Sequence, residues 1–350
     1  MIRVAVAGAS GYMGAELLRL LLAHPRVSVG AVTSERLQGQ RLDAVYPHLR
    51  GLTELALQEL EPERLADGAD LVFLALPHLE SQRVVPVLRA RGVKVIDLSA
   101  DYRLRDPADY TTWYKSSHSD PAGLAEAVYG LPELHRKAIA GTALVASPGC
   151  YAAGAILATA PLLKSGVGRS EGIVVDGKSG VTGAGAQGRT ADPIYLYSEA
   201  NENIQAYGLA GHRHTPEIEQ ELSLLAGQPV RVAFTPHLIP VNRGLLTTAS
   251  VPLARSVTTG DLRQLYAEFY AGEPFVRLAR EGEGSPTTRR VAGSNFCDLT
   301  VVADPRTRRA VCVSAIDNLG KGGSANGVQL LNVLFGWDER TGLAAPPVYP

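Results

Sequence analysis

Short unbroken apolar runs alternate with amphipathic stretches over the first 150 residues. "IRVAVAG" opens the chain as a continuous apolar strand and is followed by the turn "ASGYMG" and the helical "AELLRLLLAH". "VSVGAVTS", "ADLVFLALP", "VKVIDLSA" and "TALVASPGC" read as further strands, and "LESQRVVPVLRARG" between two of them reads as a helix. Strands that alternate with helices predict parallel βαβ units, and strands buried on both faces carry runs of this kind. Beyond residue 150 the runs lengthen. "GIVVDGKSGV", "VRVAFTPHLIPV", "GLLTTASVPL" and "CDLTVVADPRTRRAVCVSAID" predict longer strands of a more antiparallel kind, with "DPRT" as a turn. "TTGDLRQLYAEFYAG" predicts a helix capped by Thr259 or Asp261, and "GGSANGVQLLNVLFGW" a last helix. The expected fold class is α/β: a nucleotide-binding domain over 1–149, an α+β domain with a mixed, largely antiparallel sheet over 150–321, and a C-terminal helix, about 322–350, packing back on the first domain. The final "AAPPVYP" reads as a loose tail.

Composition narrows the class. The chain has 350 residues, 45% of them apolar and 20% charged, with a net charge of −1. That is an ordinary globular balance and gives no reason to expect nucleic acid or an anionic membrane as partner. No apolar run approaches the ~20 residues of a membrane span. No basic n-region or cleavage site opens the chain, so no secretory signal is expected. Three unevenly spaced cysteines do not make a disulfide framework, and a reducing cytoplasm is the expected compartment.

Two turns carry chemistry. Gly8, Gly11 and Gly14, with Ser10 and Tyr12 in the same turn, form a G-x-x-G-x-x-G loop between the first strand and the first helix. Such glycines admit a close backbone approach to a pyrophosphate resting on a helix N-terminus. The spacing differs from G-x-G-x-x-G, but its place after a strand that starts at residue 2 points to a dinucleotide. The second strand ends in Thr33 and Ser34, followed by Glu35 and Arg36. Hydroxyls and an arginine suit a 2′-phosphate, so NADP is expected over NAD; Glu35 argues the other way unless it points outward. The other turn is "SPGCYA". Cys150 follows a Pro-Gly turn at the head of an apolar helix, where free amides and the helix dipole favour a thiolate. Cys297 and Cys312 lie inside apolar strands and read as packing residues.

"HRHTPEIEQEL" begins at His212, with Thr215 as expected N-cap and Pro216 in the first turn. In extended backbone His212 and His214 share a face. No third ligand with metal spacing accompanies them; they are either structural, hydrogen-bonded to backbone, or one is a near-neutral acid/base working with a thiolate. Two more glycine-rich loops, 177–190 and 317–329, have the composition of loops that hug a ligand.

On "GASGYMGAELLRLL", "DLSADYRL", "YGLPEL", "SPGCYA", "AYGLAGHRHTPEI", "FTPHLIPVNRGLL" and "DNLGKGG" the chain resembles N-acetyl-γ-glutamyl-phosphate reductases over nearly its whole length. These enzymes resemble aspartate-semialdehyde dehydrogenases in fold. The resemblance implies an NADP-binding Rossmann domain joined to a catalytic and dimerisation domain, with Cys150 as nucleophile and His212 as acid/base with His214 close by. It also implies Arg103 gripping substrate, with Gly180, Gly183, Asn318, Gly320 and Gly322 near the cofactor, and a homodimer or homotetramer. Two departures from the family pattern stand out. The middle loop reads "TGAGAQGR", which puts Arg189 three residues late, and the last loop has Asn326 where Gln is usual. The rival substrate is the aminoadipyl phosphate of the lysine pathway, free or on a carrier protein. The rival class is a non-enzymatic NADP sensor.

Overall fold

The computed structural model describes residues 1–186 and 192–349; Arg189 lies outside the described residues. Two compact units make up the chain, Met1–Pro148 with Gly323–Ala345, and Gly149–Gly322 with Pro346–Pro350.

The first unit is built on six strands: β1 (Ile2–Ala7), β2 (Val27–Val32), β3 (Leu71–Leu74), β4 (Lys94–Asp97), β5 (Val128–Tyr129) and β6 (Leu144–Ala146). All pairings are parallel, in the order β2-β1-β3-β4-β6-β5. β3 and β6 are buried at every position, which is why they read as unbroken apolar runs. The chain leaves β1 for β2 on one side and returns to β3 on the other. The order therefore reverses at β1/β3, and ligands of open α/β sheets bind outside the strand carboxyl ends at such a reversal.

Helix Ala325–Leu334 belongs to this unit and is buried along its whole length. Its Asn326 Nδ2 donates to Gly130 O at 2.9 Å and to Ser147 Oγ at 3.3 Å, so the shorter amide bridges two strand-end loops. The last residues behave differently from the helix: 346–350 group with the second unit, where Val348 N–H donates to Ala292 O at 2.8 Å. That bond ties down a tail whose composition reads as loose.

The second unit holds β7 (Ile173–Gly180), β8 (Gln205–Ala206), β9 (Val232–Ile239), β10 (Leu245–Pro252), β11 (Val276–Leu278), β12 (Cys297–Asp304) and β13 (Arg309–Ile316) in the order β11-β12-β13-β10-β7-β9-β8. The pairings β10/β13, β10/β7, β12/β13 and β8/β9 are antiparallel; β11/β12 and β7/β9 are parallel. β10 alternates strictly between buried and half-buried residues, the mark of a sheet covered on one face. Helices Cys150–Lys164 and Thr259–Phe269 cover that face. On the other, Val174 and Val302 are 45% and 44% exposed, in one cross-strand row with Ser250 and Val311, and Thr248 and Val313 pair in the next row.

Helix Cys150–Lys164 is apolar all round and buried from Tyr151 to Leu163. Pro161 lies inside it and has no N–H, so the Leu157 carbonyl loses its helical donor. Tyr270 Oη donates to Leu157 O at 2.6 Å in its place, and Tyr266 Oη donates to the neighbouring Ala158 O at 2.5 Å. Tyr266 Oη also lies 3.2 Å from Cys312 Sγ, whose thiol is pushed up to about 12 by burial. Cys297 and Cys312 are fully buried packing residues.

Two helix starts differ from expectation. Helix Thr259–Phe269 is capped by Thr258, whose Oγ1 accepts the Asp261 N–H while the Asp261 carboxylate accepts the Thr258 N–H. Thr259 is thus already helical, and Asp261 is the reciprocal partner of the cap. Helix Thr215–Ala226 takes Thr215 as its first residue, with His214 in the cap position and no side-chain cap bond. The turn that brings the two histidines together occupies the position where a hydroxyl cap was expected.

Candidate active site

Cys150 is the first residue of its helix, behind Gly149 in extended conformation (φ −68°, ψ 146°). The thiol is half-buried. Gly322 packs on Cys150: a Cβ there would lie 2.7 Å from Cys150 Cβ, so the last glycine loop comes this close only because position 322 has no side chain. Gly320 and Gly322 follow Asp317, a fully buried carboxylate that accepts N–H bonds from Leu319 and Gly320 and pairs with Arg243 at 2.9 Å. Asp317 thereby fixes the curve of the loop.

The histidines do not lie on a strand. Thr215 N–H donates to His212 O at 3.0 Å, so 212–215 is a turn, and His214 is in the right-handed helical region (φ −85°, ψ −10°). The turn, and not a pleat, sets the rings edge to face at 4.8 Å. Their surroundings differ. His212 is edge-on to Tyr151, Tyr207 and Phe234, and its Nδ1 accepts the His214 N–H at 3.1 Å. Burial first, then the neighbouring His214, pushes His212 down to about 3. Sequence reasoning expected a near-neutral imidazole here because it does not see the aromatic box. His214 instead lies over the turn before Cys150, where a Cβ on Gly149 would come within 2.6 Å of two ring carbons.

Glu217 is a residue that the sequence reading missed. It is fully buried in the first turn of its helix, and its Oε2 accepts the Gly149 N–H at 3.0 Å. Its charge opposes the fall in the His212 pKa. The available signal was its place three residues beyond His214 at a helix start. Tyr151 donates its hydroxyl to His237 O at 2.8 Å, and Tyr207 donates to Tyr151 Oη at 3.3 Å. Burial raises both phenols, so both remain donors beside the thiol.

Of the loop residues expected in this unit, Gly180 is held against backbone: a Cβ would meet Val241 O and Asn242 O at 2.7 Å. A Cβ on Gly183 would lie 3.1 Å from Ser179 Oγ. Asn318 accepts the Gly244 N–H at 2.8 Å and donates to Thr182 Oγ1 at 2.9 Å, which ties the middle glycine loop to the last one.

In the first unit the glycine turn packs backbone against backbone. Gly8 takes φ +82°, and a side chain on it would collide with the Ala75 carbonyl. Gly11 caps helix Tyr12–Leu21, and a Cβ on Gly14 would stand 2.6 Å from Ala9 Cα. Ser10 and Ser34 share a hydrogen bond between hydroxyls at 2.7 Å, joining this turn to the end of β2. Glu35 and Arg36 are both exposed. The turn and the end of β2 thus present two hydroxyls and an exposed arginine beside a helix N-terminus. Arg103 is 7% exposed; its Nε donates to Ser147 O at 2.8 Å and its Nη2 to Leu98 O at 3.0 Å. It is neither a surface residue nor an open claw, because two of its donors fasten the loop after β4 to the end of β6.

A parallel nucleotide sheet, and a mixed-sheet unit that begins with a cysteine at a helix head, define the semialdehyde dehydrogenase class. The family model for the semialdehyde dehydrogenase NAD binding domain matches residues 3–142, and that for the semialdehyde dehydrogenase dimerisation domain matches 150–318. The fold is also that of aspartate semialdehyde dehydrogenase II from Vibrio cholerae, complexed with ASA (TM-score 0.73, 19% identity, 96% of this chain and 98% of that one). The Candida albicans aspartate semialdehyde dehydrogenase with NADP is similar at TM-score 0.69 and 16% identity, over 96% of this chain and 98% of that one.

More specifically, the chain belongs to the N-acetyl-gamma-glutamyl-phosphate reductase family. It is 53% identical to the Symbiobacterium thermophilum protein of that name, over 100% of this chain and 99% of the relative. The Pelobacter propionicus protein is 52% identical over 100% of both. Among the described residues no group of His, Cys, Asp or Glu could hold a metal, and no helix is long and apolar enough to cross a membrane.

Proposed function

We propose that this chain reduces N-acetyl-γ-glutamyl phosphate to N-acetylglutamate 5-semialdehyde and phosphate with NADPH, through a thioester on Cys150. The supporting observation is the half-buried thiol at a helix head, beneath Gly322, with the His214 imidazole packed on the preceding Gly149. The identity to proteins named for this substrate favours the glutamyl over the aminoadipyl compound.

The Cys150 thiolate attacks the acyl carbon, the carbon–oxygen bond to phosphate breaks, and phosphate leaves with the electron pair. The nicotinamide coenzyme, when bound, supplies the hydride that reduces the thioester. Collapse of the resulting thiohemiacetal expels the aldehyde and returns the thiolate. Helix-head amides stabilise the negative charge on sulfur before attack and as the thiolate departs. We assign the proton transfers to His214 over His212, because His212 is held neutral with Nδ1 engaged while His214 lies at the nucleophile's turn. His212 orients it by accepting the His214 N–H, and the Glu217 charge opposes the fall in the His212 pKa.

For the coenzyme, Gly8, Ser10, Gly11, Tyr12 and Gly14 hold the pyrophosphate. Ser34 and Arg36 receive the 2′-phosphate, and this is the basis for NADP over NAD. Gly180, Gly183 and Asn318 shape the second-unit loops that the family resemblance assigns to the nicotinamide end. The family resemblance also assigns Arg103 to substrate phosphate or carboxylate, at the loop that it fastens to the end of β6. The open face of the second sheet, with Val174, Val302, Val311 and Val313, is the surface for a second copy of the chain, giving a homodimer or homotetramer. Free thiols suit a reducing compartment such as the cytoplasm.

The deciding experiment mixes protein and acyl phosphate without NADPH and measures intact mass. An added N-acetylglutamyl group on Cys150 is expected, and an unmodified Cys150 with full turnover on adding NADPH would remove the covalent step. Parallel assays of the glutamyl and aminoadipyl compounds separate the two substrates.

A further inference from the structure

Leu79 lies in the loop between β3 and helix Ser81–Ala90 and has φ +78°. A branched L-residue avoids this left-handed region, so something outside the loop must impose it. The Leu79 side chain is 39% exposed and supplies no core packing that would do so. Its amide does: Leu79 N–H donates to Asp101 Oδ1 at 2.8 Å.

Asp101 belongs to the loop after β4 and is fully buried. The Tyr110 hydroxyl donates to the same Oδ1 at 2.8 Å, and Gln82 Nε2 donates to Tyr110 Oη at 2.8 Å. Ser119 secures Gln82 through its amide and hydroxyl, at 2.7 and 2.9 Å. The Asp101 backbone is held as well, its N–H by Ser99 Oγ at 3.1 Å and its O by His118 Nε2 at 2.9 Å. A fixed carboxylate thus reaches from one strand-end loop to the next.

The loop it reaches borders the reversal point of the sheet. Ala75 N–H extends the β1/β3 ladder to Ala7 O at 2.8 Å, and the Ala75 carbonyl is the atom that keeps Gly8 free of a side chain. The loop 75–80 is therefore one wall of the crevice whose other wall is the glycine turn. We propose that Asp101 is a positioning residue for the coenzyme: its carboxylate holds Leu79 left-handed, and so holds loop 75–80 in the shape that receives the dinucleotide. This rests on the dinucleotide reading of the Gly8–Gly14 turn.

The test measures NADPH affinity by titration calorimetry on the full chain, so the readout does not depend on turnover. Asp101→Ala should weaken NADPH by about tenfold, the scale set by left-handed strain in a non-glycine residue. The kcat at saturating NADPH should stay within about threefold while KM for NADPH rises, since the reacting groups are untouched. Leu79→Gly in the Asp101→Ala background should restore most of the affinity, because glycine adopts φ above zero unaided. Leu79→Val alters only a partly exposed position, disfavours the left-handed region and should weaken NADPH on its own; it decides the matter should Asp101→Ala fail to fold. Parent-like affinity in Asp101→Ala or Leu79→Val, or no recovery in the double variant, overturns the proposal. A parent chain that binds neither NADPH nor NADH overturns the dinucleotide reading instead.

Discussion

His214 covers Gly149 so closely that no side chain fits between the imidazole and the turn that presents Cys150. Gly149→Ala should therefore displace the ring while leaving the helix start itself intact, since Gly149 has an ordinary extended φ of −68°. A displacement of about 1 Å at reacting groups costs on the order of 10²-fold. We expect kcat to fall by about that factor with the unfolding midpoint little changed, measured by steady-state kinetics beside a urea titration.

The two histidines should separate in a substitution pair. His214→Asn should lower kcat by ~10²–10⁴, the usual contribution of a positioned acid/base. His212→Gln keeps an acceptor for the His214 N–H and should lower kcat far less. A larger loss in His212→Gln than in His214→Asn would return the acid/base role to His212.

His212 also makes stability depend on acid. Its pKa falls from 6.5 to about 3 on folding, so between those values the unfolded chain binds the proton that the folded chain refuses. The contribution is fully present above pH 6.5 and is lost as pH falls toward 3. His212→Gln removes this proton uptake. Its urea midpoint should drop less steeply than the parent's from pH 6.5 to 4, and parallel curves would contradict the burial argument.

Tyr270 and Tyr266 make superficially similar bonds to helix Cys150–Lys164 with different consequences. Tyr270→Phe strips the Leu157 carbonyl of its donor, and Pro161 supplies none, so a buried acceptor is left unpaired at a cost of ~1–3 kcal/mol. Ala158 O retains the helical donor position at residue 162, so Tyr266→Phe should cost less. Urea unfolding of the two variants checks the order.

Arg36 and Ser34 carry the expected choice of coenzyme. Arg36→Ala should raise KM for NADPH by about tenfold and leave KM for NADH nearly unchanged, the signature of a lost contact to a charged 2′-phosphate. A loss shared equally by both coenzymes would assign Arg36 another role.

What the sequence determined by itself is local. The Gly8 turn after a strand, the Pro-Gly turn before Cys150 and the alternating strands and helices of the first unit are each written in neighbouring residues, because strand period, turn chemistry and helix starts are short-range. What only the tertiary structure decided is everything that depends on partners far along the chain. The near-neutral state expected of His212 gives way to burial among Tyr151, Tyr207 and Phe234, from three separate elements. Arg103 turns two donors onto Ser147 and Leu98, and Asn318 ties loop to loop. Glu217 reaches Gly149 across 68 residues, and Asp101 sets the backbone of Leu79 from the next strand's loop. A residue's type limits which bonds it can make; burial, and the groups that burial leaves in need of a partner, decide which of them it does make.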